Sequence, residues 1–369
     1  TSHSFVGMAP SLPWLPLPLL LILCAMLHPT AANGGDLLML DRFHRWMTTH
    51  GRVYPSVDEK LHRLEVYRRN VEFIEASNRE SERLGYELGE NEFTDLTNEE
   101  FSARYTGGAL VPKDDREDSG GAIVDGIITT LAGDVNEGHR MSTADLNSSL
   151  SVAPKSFDWR DHGAVTPAKN QGGCDCCWAF AAVATVESLN KINGGELLDL
   201  SEQELVDCSV ADQNGCKPGY IDDALKWIQN KGGAVTEAEY SYQARVGVCK
   251  TTQTGAKRVA AITDVKLVDG ELWLRVAVLK RPVAVGIDAQ GAVLQNYKTG
   301  IYKGPCTTTT NHAVVLIGYG VSDNGEEYWI LKNSWGEGWG QKGFFFMRRG
   351  ADGPEGLCGV ARWGTYPVM

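Results

Sequence analysis

Apolar positions fall along the 369-residue chain in four textures. Over residues 12–27 nearly every position is apolar or Pro. Residues 36–105 are rich in charge and read as helical. Within 59–78, Leu64, Tyr67, Val71, Ile74 and Asn78 recur at spacings of three and four, which predicts one face of a long amphipathic helix. Residues 106–152 are dominated by Gly, Asp, Ser and Thr and show no period beyond a short apolar patch at 123–131, the texture of a flexible, protease-accessible linker. From Ala153 onward the pattern is that of a compact domain. An Ala-rich helix is predicted over 177–192, and a second over 201–207 with Ser201 as N-cap and Glu204 completing a capping box. Strand-like runs follow at 283–287, 313–317, 328–331 and 344–347. Helices first and strands second predict an α+β arrangement, a helical half facing a sheet half with a cleft between them.

The first texture has two readings. A membrane span is opposed by Pro13, Pro16 and Pro18, and the unbroken residues 19–27 are too short to cross a bilayer. A secretory h-region fits better, with small Thr30, Ala31 and Ala32 placing cleavage after Ala32. Residues 1–32 are therefore expected to be a signal peptide, with Met8 as a candidate start because residue 1 is Thr. The expected domains are this signal, a helical segment at 33–105, the linker at 106–152 and a catalytic-sized domain at 153–369. The secretory route also makes Asn147, in the chain's single Asn-x-Ser/Thr triplet, a candidate glycosylation site.

Charge separates the same regions. The net charge is −12, yet residues 153–369 carry 22 Lys+Arg against 24 Asp+Glu, so most of the acidity lies before them. No basic cluster suggests a nucleic-acid partner. Eight of the nine cysteines lie between Cys174 and Cys358, and in an oxidising compartment such a set reads as disulfides plus spare thiols. Six Cys alone allow fifteen pairings.

Cys177 opens the Ala-rich helix, where the macrodipole favours a thiolate. A base for it must be His162 or His312, the two histidines beyond residue 153. His162 sits in a polar turn beside Asp161 and Gly163, whereas His312 immediately precedes the apolar run 313–317 that would hold its ring.

Three segments carry a more specific signal. The stretch Asn170-Gln171-Gly172-Gly173-Cys174-Asp175-Cys176-Cys177-Trp178-Ala179-Phe180 resembles the nucleophile motif of the papain-like cysteine peptidases. Asn311-His312-Ala313-Val314 resembles their histidine motif, and Lys332-Asn333-Ser334-Trp335-Gly336 their asparagine motif. Glu59, Arg63, Tyr67, Asn70, Ile74 and Asn78, followed by Gly89, Asn91, Phe93 and Asp95, resemble two motifs of cathepsin L-like propeptides, with Tyr67 where those have Phe. The resemblance is to a plant-type precursor of this family.

It implies a papain-like two-lobed domain behind a helical inhibitory propeptide, and a secreted or vacuolar cysteine endopeptidase zymogen, vacuolar, lysosomal or extracellular in location. It also implies a thioester acyl-enzyme and propeptide removal at acid pH near residues 150–153, where pro-region carboxylates lose charge below about pH 4 to 5. Cys177 is then the nucleophile, His312 the base, Asn333 the residue fixing the imidazole tautomer, and Gln171 a donor of the oxyanion hole. Trp335 shields the His–Asn bond. Gly219 and Tyr220 contact the substrate backbone, and Gly286 and Trp363 line the main specificity pocket, for which an apolar, shallow S2 is expected. The family's framework pairs Cys174 with Cys216, Cys208 with Cys249 and Cys306 with Cys358, leaving Cys176 and Cys177 as thiols. Protein and peptide substrates, the chain's own propeptide and cystatin-type inhibitors are the implied partners of a monomer without cofactor or metal, and without a nucleic-acid or membrane partner once the signal is removed.

The chain departs from the family at Asp175, usually Gly, at Lys217-Pro218 and at Trp363. A carboxylate two residues before the nucleophile would raise the thiol pKa or favour a basic side chain in the neighbouring subsite. Two other readings compete: a metal site built on Cys174, Cys176, Cys177, Cys208 and Cys216, and an inactive peptidase homologue with a binding or storage role. Zinc sites favour paired Cys-x2-Cys or His ligands, and no His lies near. Inactive relatives usually lose the nucleophile, which is present here.

Overall fold

The computed structural model describes residues 34–107, 153–209, 215–250, 257–350 and 353–369. The signal segment, Asn147 and residues 108–152 of the linker, including the expected processing site, lie outside the described residues. The chain divides into two compact units, one ending at Arg68 and the other beginning at Arg69.

The first unit contains α1 (Gly34–Thr49) and the start of α2 (Val57–Asn78). Phe43 and Trp46 are buried on α1, and the Tyr67 ring lies 5.2 and 5.3 Å from theirs. Arg63 Nε donates to Glu59 Oε1 at 2.7 Å, one helical turn apart. On α2 the buried apolar stripe is Val66, Tyr67, Val71 and Ile74; Leu64 and Asn78, expected on it, are half-buried.

The second unit holds α3 (Ser81–Leu84), β1 (Tyr86–Leu88), α4 (Asn98–Tyr105), β2 (Phe157–Asp158), α5 (Cys177–Ile192), α6 (Glu202–Cys208), α7 (Ile221–Lys231), β3 (Asp264–Val268), α8 (Glu271–Val278), β4 (Val283–Ile287), α9 (Ala292–Gln295), β5 (Tyr297–Tyr302), β6 (His312–Val321), β7 (Glu327–Lys332), β8 (Phe344–Arg348) and β9 (Gly364–Val368). The strands form one nine-stranded mixed sheet in the order β1-β5-β8-β7-β6-β4-β9-β3, with β2 against β6. Among the described residues only the β5–β8 pair is parallel. The arrangement is α+β, as the order of helical and strand-like segments predicts.

β6 explains why the apolar run 313–317 does not alternate. Ala313, Val315 and Ile317 pack in the core that includes α5, while Val314, Leu316 and Tyr319 pack in the core on the other face. A strand buried on both faces reads as continuous hydrophobic sequence. β1 is short, β3 carries Asp264 and Lys266, and β5 and β9 carry Lys298, Gly300 or Pro367 in place of an apolar period, so none stands out in the sequence. α7 does carry a legible period, Ile221, Ala224, Leu225 and Ile228, all buried.

Residues 69–107 fall in the sheet-bearing unit, where β1 pairs with β5. One expectation is corrected there. At α6, Ser201 Oγ accepts from Glu204 N at 3.0 Å, but the reciprocal half of the capping box does not form. The Glu204 carboxylate instead accepts from Arg258 Nη2 (2.6 Å) and Val235 N (3.1 Å). A buried carboxylate is drawn to the cation that can neutralise it rather than to one more neutral amide.

Candidate active site

Cys177 is the first residue of α5 and is buried. Its Sγ accepts from the backbone N–H of Ala313 at 3.4 Å, so the helix N-terminus meets the start of β6 directly beside His312. β6 and β7 pair antiparallel with Val315 opposite Lys332, which brings Asn333, just past the end of β7, back to His312 at the start of β6. His312 Nε2 lies 2.7 Å from Asn333 Oδ1. Trp335 stacks on the His312 ring at 4.6 Å and 24°. The sequence separation of 136 residues between Cys177 and Ala313 is thus closed by helix–sheet packing and that of 21 between His312 and Asn333 by a strand pair.

Gln171 is fully buried and its amide is held at both ends: Nε2 donates to the Cys174 carbonyl (3.1 Å) and Oε1 accepts from Ser334 Oγ (2.7 Å). The Gln171 carbonyl accepts from Tyr242 Oη at 2.7 Å, and the same Oη lies 3.0 Å from Cys176 Sγ. Ser334 lies in the asparagine motif, but its bond to Gln171 was not anticipated, and neither was Tyr242, since these contacts act at separations of 163 and 71 residues.

Burial dominates the electrostatics. It pushes the Cys177 thiol up to about 12, with the nearby Asp175 charge adding and the Ala313 N–H opposing. It pushes His312 down to about 4 against the Asn333 bond. In each case burial favours the uncharged form. Asp175 is itself raised to about 6 by burial.

Residues 91–107 run over this site. Asn91 Nδ2 donates to the Gln295 carbonyl (2.8 Å), Asn98 Nδ2 to Gln295 Oε1 (3.0 Å), and Gln295 Nε2 to the carbonyls of Phe93 and Leu96 (3.2 Å each). Asn70 Nδ2 donates to the carbonyls of Thr94 (2.8 Å) and Leu96 (2.9 Å), and Asn78 exchanges two bonds with Leu88. The rings of Phe101 and Phe93 meet Trp335 edge-on at 5.0 and 6.0 Å. Gly107, at φ +52°, ends against the cleft: a Cβ there would stand 2.8 Å from Asp175 Oδ1 and 3.2 Å from the Asn311 carbonyl oxygen.

The remaining expected site residues lie around this centre. Trp178 Nε1 donates to the Lys217 carbonyl at 3.1 Å, which ties the segment leading to buried Gly219 and half-buried Tyr220 to the start of α5. Gly286 pairs with Ala313 across β4 and β6. A Cβ at Gly286 would stand 2.6 Å from Trp363 Cζ2, so the indole occupies the space a side chain would need. His162 is away from the centre, its ring stacked on Phe157 at 5.1 Å. The structure bonds Cys174 to Cys216, Cys208 to Cys249 and Cys306 to Cys358, which removes three of the five sulfurs considered as metal ligands. Cys176 and Cys177 are free and buried.

Comparison with known proteins finds two matching family models: papain family cysteine protease over residues 153–368 and cathepsin propeptide inhibitor domain (I29) over residues 43–101. Ananain of Ananas comosus is 41% identical over 356 residues, covering 95% of each chain. The senescence-specific cysteine protease SAG12 of Arabidopsis thaliana is 40% identical over 337 residues, covering 91% of this chain and 92% of that one. The solved structure of a recombinant stem bromelain precursor superposes with a TM-score of 0.76 at 42% identity, over 90% of this chain and 99% of that one.

Proposed function

The chain belongs to the papain family of cysteine proteases and carries that family's inhibitory propeptide, and from this premise we propose that it is an endopeptidase zymogen in which Cys177, His312, Asn333 and Gln171 perform the chemistry. The observation that carries the assignment is the meeting of Cys177 Sγ, the His312 strand start and the 2.7 Å His312–Asn333 bond at one point.

His312 takes the thiol proton as Cys177 Sγ attacks the peptide carbonyl carbon. The oxyanion that forms is met by N–H groups of the Gln171 side chain and the Cys177 backbone, donors of a kind whose loss costs about 2.7–4 kcal/mol of transition-state stabilisation. Collapse expels the amine, protonated by His312, and leaves a thioester on Cys177. Water, deprotonated by His312, then releases the acid and restores the thiol. Asn333 Oδ1 on Nε2 holds the other ring nitrogen toward the sulfur, and Trp335 keeps water from that bond.

Burial in the covered site favours the uncharged thiol and imidazole, the less reactive forms. Removal of the segment ending at Gly107 rehydrates both groups and lets the ion pair form. In this reading acid triggers that removal by protonating pro-region carboxylates. Asp175 works in the opposite sense: burial raises its pKa, so the covered form binds its proton more tightly and low pH favours closure there. This reading also takes residues 1–32 as a secretory signal, Asn147 as glycosylated and the mature enzyme as a vacuolar or extracellular monomer. Cystatin-type inhibitors would compete with peptides for its cleft.

The test is acid treatment of the purified precursor followed by peptide hydrolysis and titration with an epoxide thiol label. Hydrolysis with stoichiometric labelling that Cys177→Ala abolishes is expected. Hydrolysis that survives Cys177→Ala would sink the assignment.

A further inference from the structure

Asp175 is an anomaly of this site. Its Oδ1 is buried and has no hydrogen-bond partner among the described residues. Burial without a partner is costly for a carboxylate. Here the cost falls beside the nucleophile: the titratable groups facing Asp175 are the thiols of Cys177 and Cys176, and its charge raises both. A charge kept at that expense, in a cleft that a peptide enters, calls for a cation brought by the ligand.

The covering segment shows where that cation would stand. Gly107 occupies the space in front of the carboxylate, close enough that a Cβ would lie 2.8 Å from Oδ1 and 3.3 Å from Oδ2. The same point is 3.2 Å from the Asn311 carbonyl oxygen. Two acceptors, one formally charged, therefore converge on a position beside the Gly107 backbone where the covering segment places no side chain. When the segment leaves, that position opens to the cleft next to Cys177.

We propose that Asp175 and the Asn311 carbonyl form an acidic subsite beside the nucleophile that takes a lysine or arginine side chain of the peptide substrate, at a residue flanking the scissile bond. This rests on the endopeptidase reading above and adds the class of substrate to it. An ammonium or guanidinium satisfies both oxygens with charge-assisted hydrogen bonds, which a neutral side chain of equal length does not. Gly107 is then the residue that lets the covering segment pass an acidic subsite without being bound there as a substrate side chain.

The experiment uses the acid-processed enzyme and matched fluorogenic peptides with arginine or its neutral isostere citrulline at each of the two residues flanking the cleaved bond. At one of the two, kcat/KM is expected to favour arginine on the order of tenfold. Asp175→Asn should bring that ratio near one, and Asp175→Glu should retain most of it. A ratio near one at both positions in the unmodified enzyme, or an arginine preference that survives Asp175→Asn, overturns the subsite while leaving the peptidase reading intact. Absence of hydrolysis of every peptide overturns both.

Discussion

The covering segment meets the active site in two unlike ways. At Phe93, Phe101 and Tyr105 it presents a cluster of rings 4.7–5.6 Å apart, and Phe101 touches the Trp335 indole that stacks on His312. At Gly107 it presents no side chain at all, to a carboxylate and a carbonyl. The first contact is hydrophobic burial, insensitive to pH and strong. The second is weak in itself and lies where chemistry occurs. Affinity and control are thus separated by six residues: the anchor keeps the segment in place, and the crossing lets it lie over an acidic, reactive cleft without supplying the cation that cleft would hold.

The most severe way to break this comparison is Phe101→Ala. Removing a fully buried ring costs about 3–5 kcal/mol, and the precursor in a Cys177→Ala background should lose that much by urea unfolding. With Cys177 intact it should convert at neutral pH. An unchanged urea midpoint would mean that the rings are not the anchor.

Gly107→Ala probes the crossing. A Cβ at positive φ costs about 1–2 kcal/mol, so conversion at a fixed pH should accelerate roughly 5–30-fold. Conversion at the parental rate would show that closure does not depend on the bare backbone there.

The smallest effect, and the sharpest, is the pH dependence of Asp175→Asn. The carboxyl titrates near 6 in the covered form against an ordinary 3.8, so the folded precursor binds more protons in that window and loses stability as pH rises through it. In the Cys177→Ala background, Asp175→Asn should therefore raise the urea midpoint at pH 7 and lose that advantage by about pH 4. A gain of equal size at both pH values would contradict a buried, unpaired carboxylate.

Legibility in the sequence followed the range of the interactions. The helix at 177–192 and the runs 283–287 and 313–317 were legible because local periodicity and apolar runs encode them. Cys177, His312, Asn333 and Gln171 stood out through ordered motifs, and the structure brings the first three together. β5 and β9 were not, since Gly300 and Pro367 are tolerated only because neighbouring strands complete their bonding. Glu204 illustrates the opposite failure: its local motif was present, and the tertiary structure assigned its carboxylate to Arg258.

By itself, then, the sequence determined the chemical inventory: one nucleophile at a helix start, two candidate histidines, an asparagine and a pro-region with spaced motif residues. Only the tertiary structure brought positions 177, 312 and 333 together, because strand register and helix–sheet packing, not spacing, place them side by side. It also decided that burial favours the uncharged forms of Cys177 and His312 and that Asp175 Oδ1 has no hydrogen-bond partner among the described residues. Both follow from burial, which depends on every segment that closes over a residue and so cannot be read from the residues next to it in the chain.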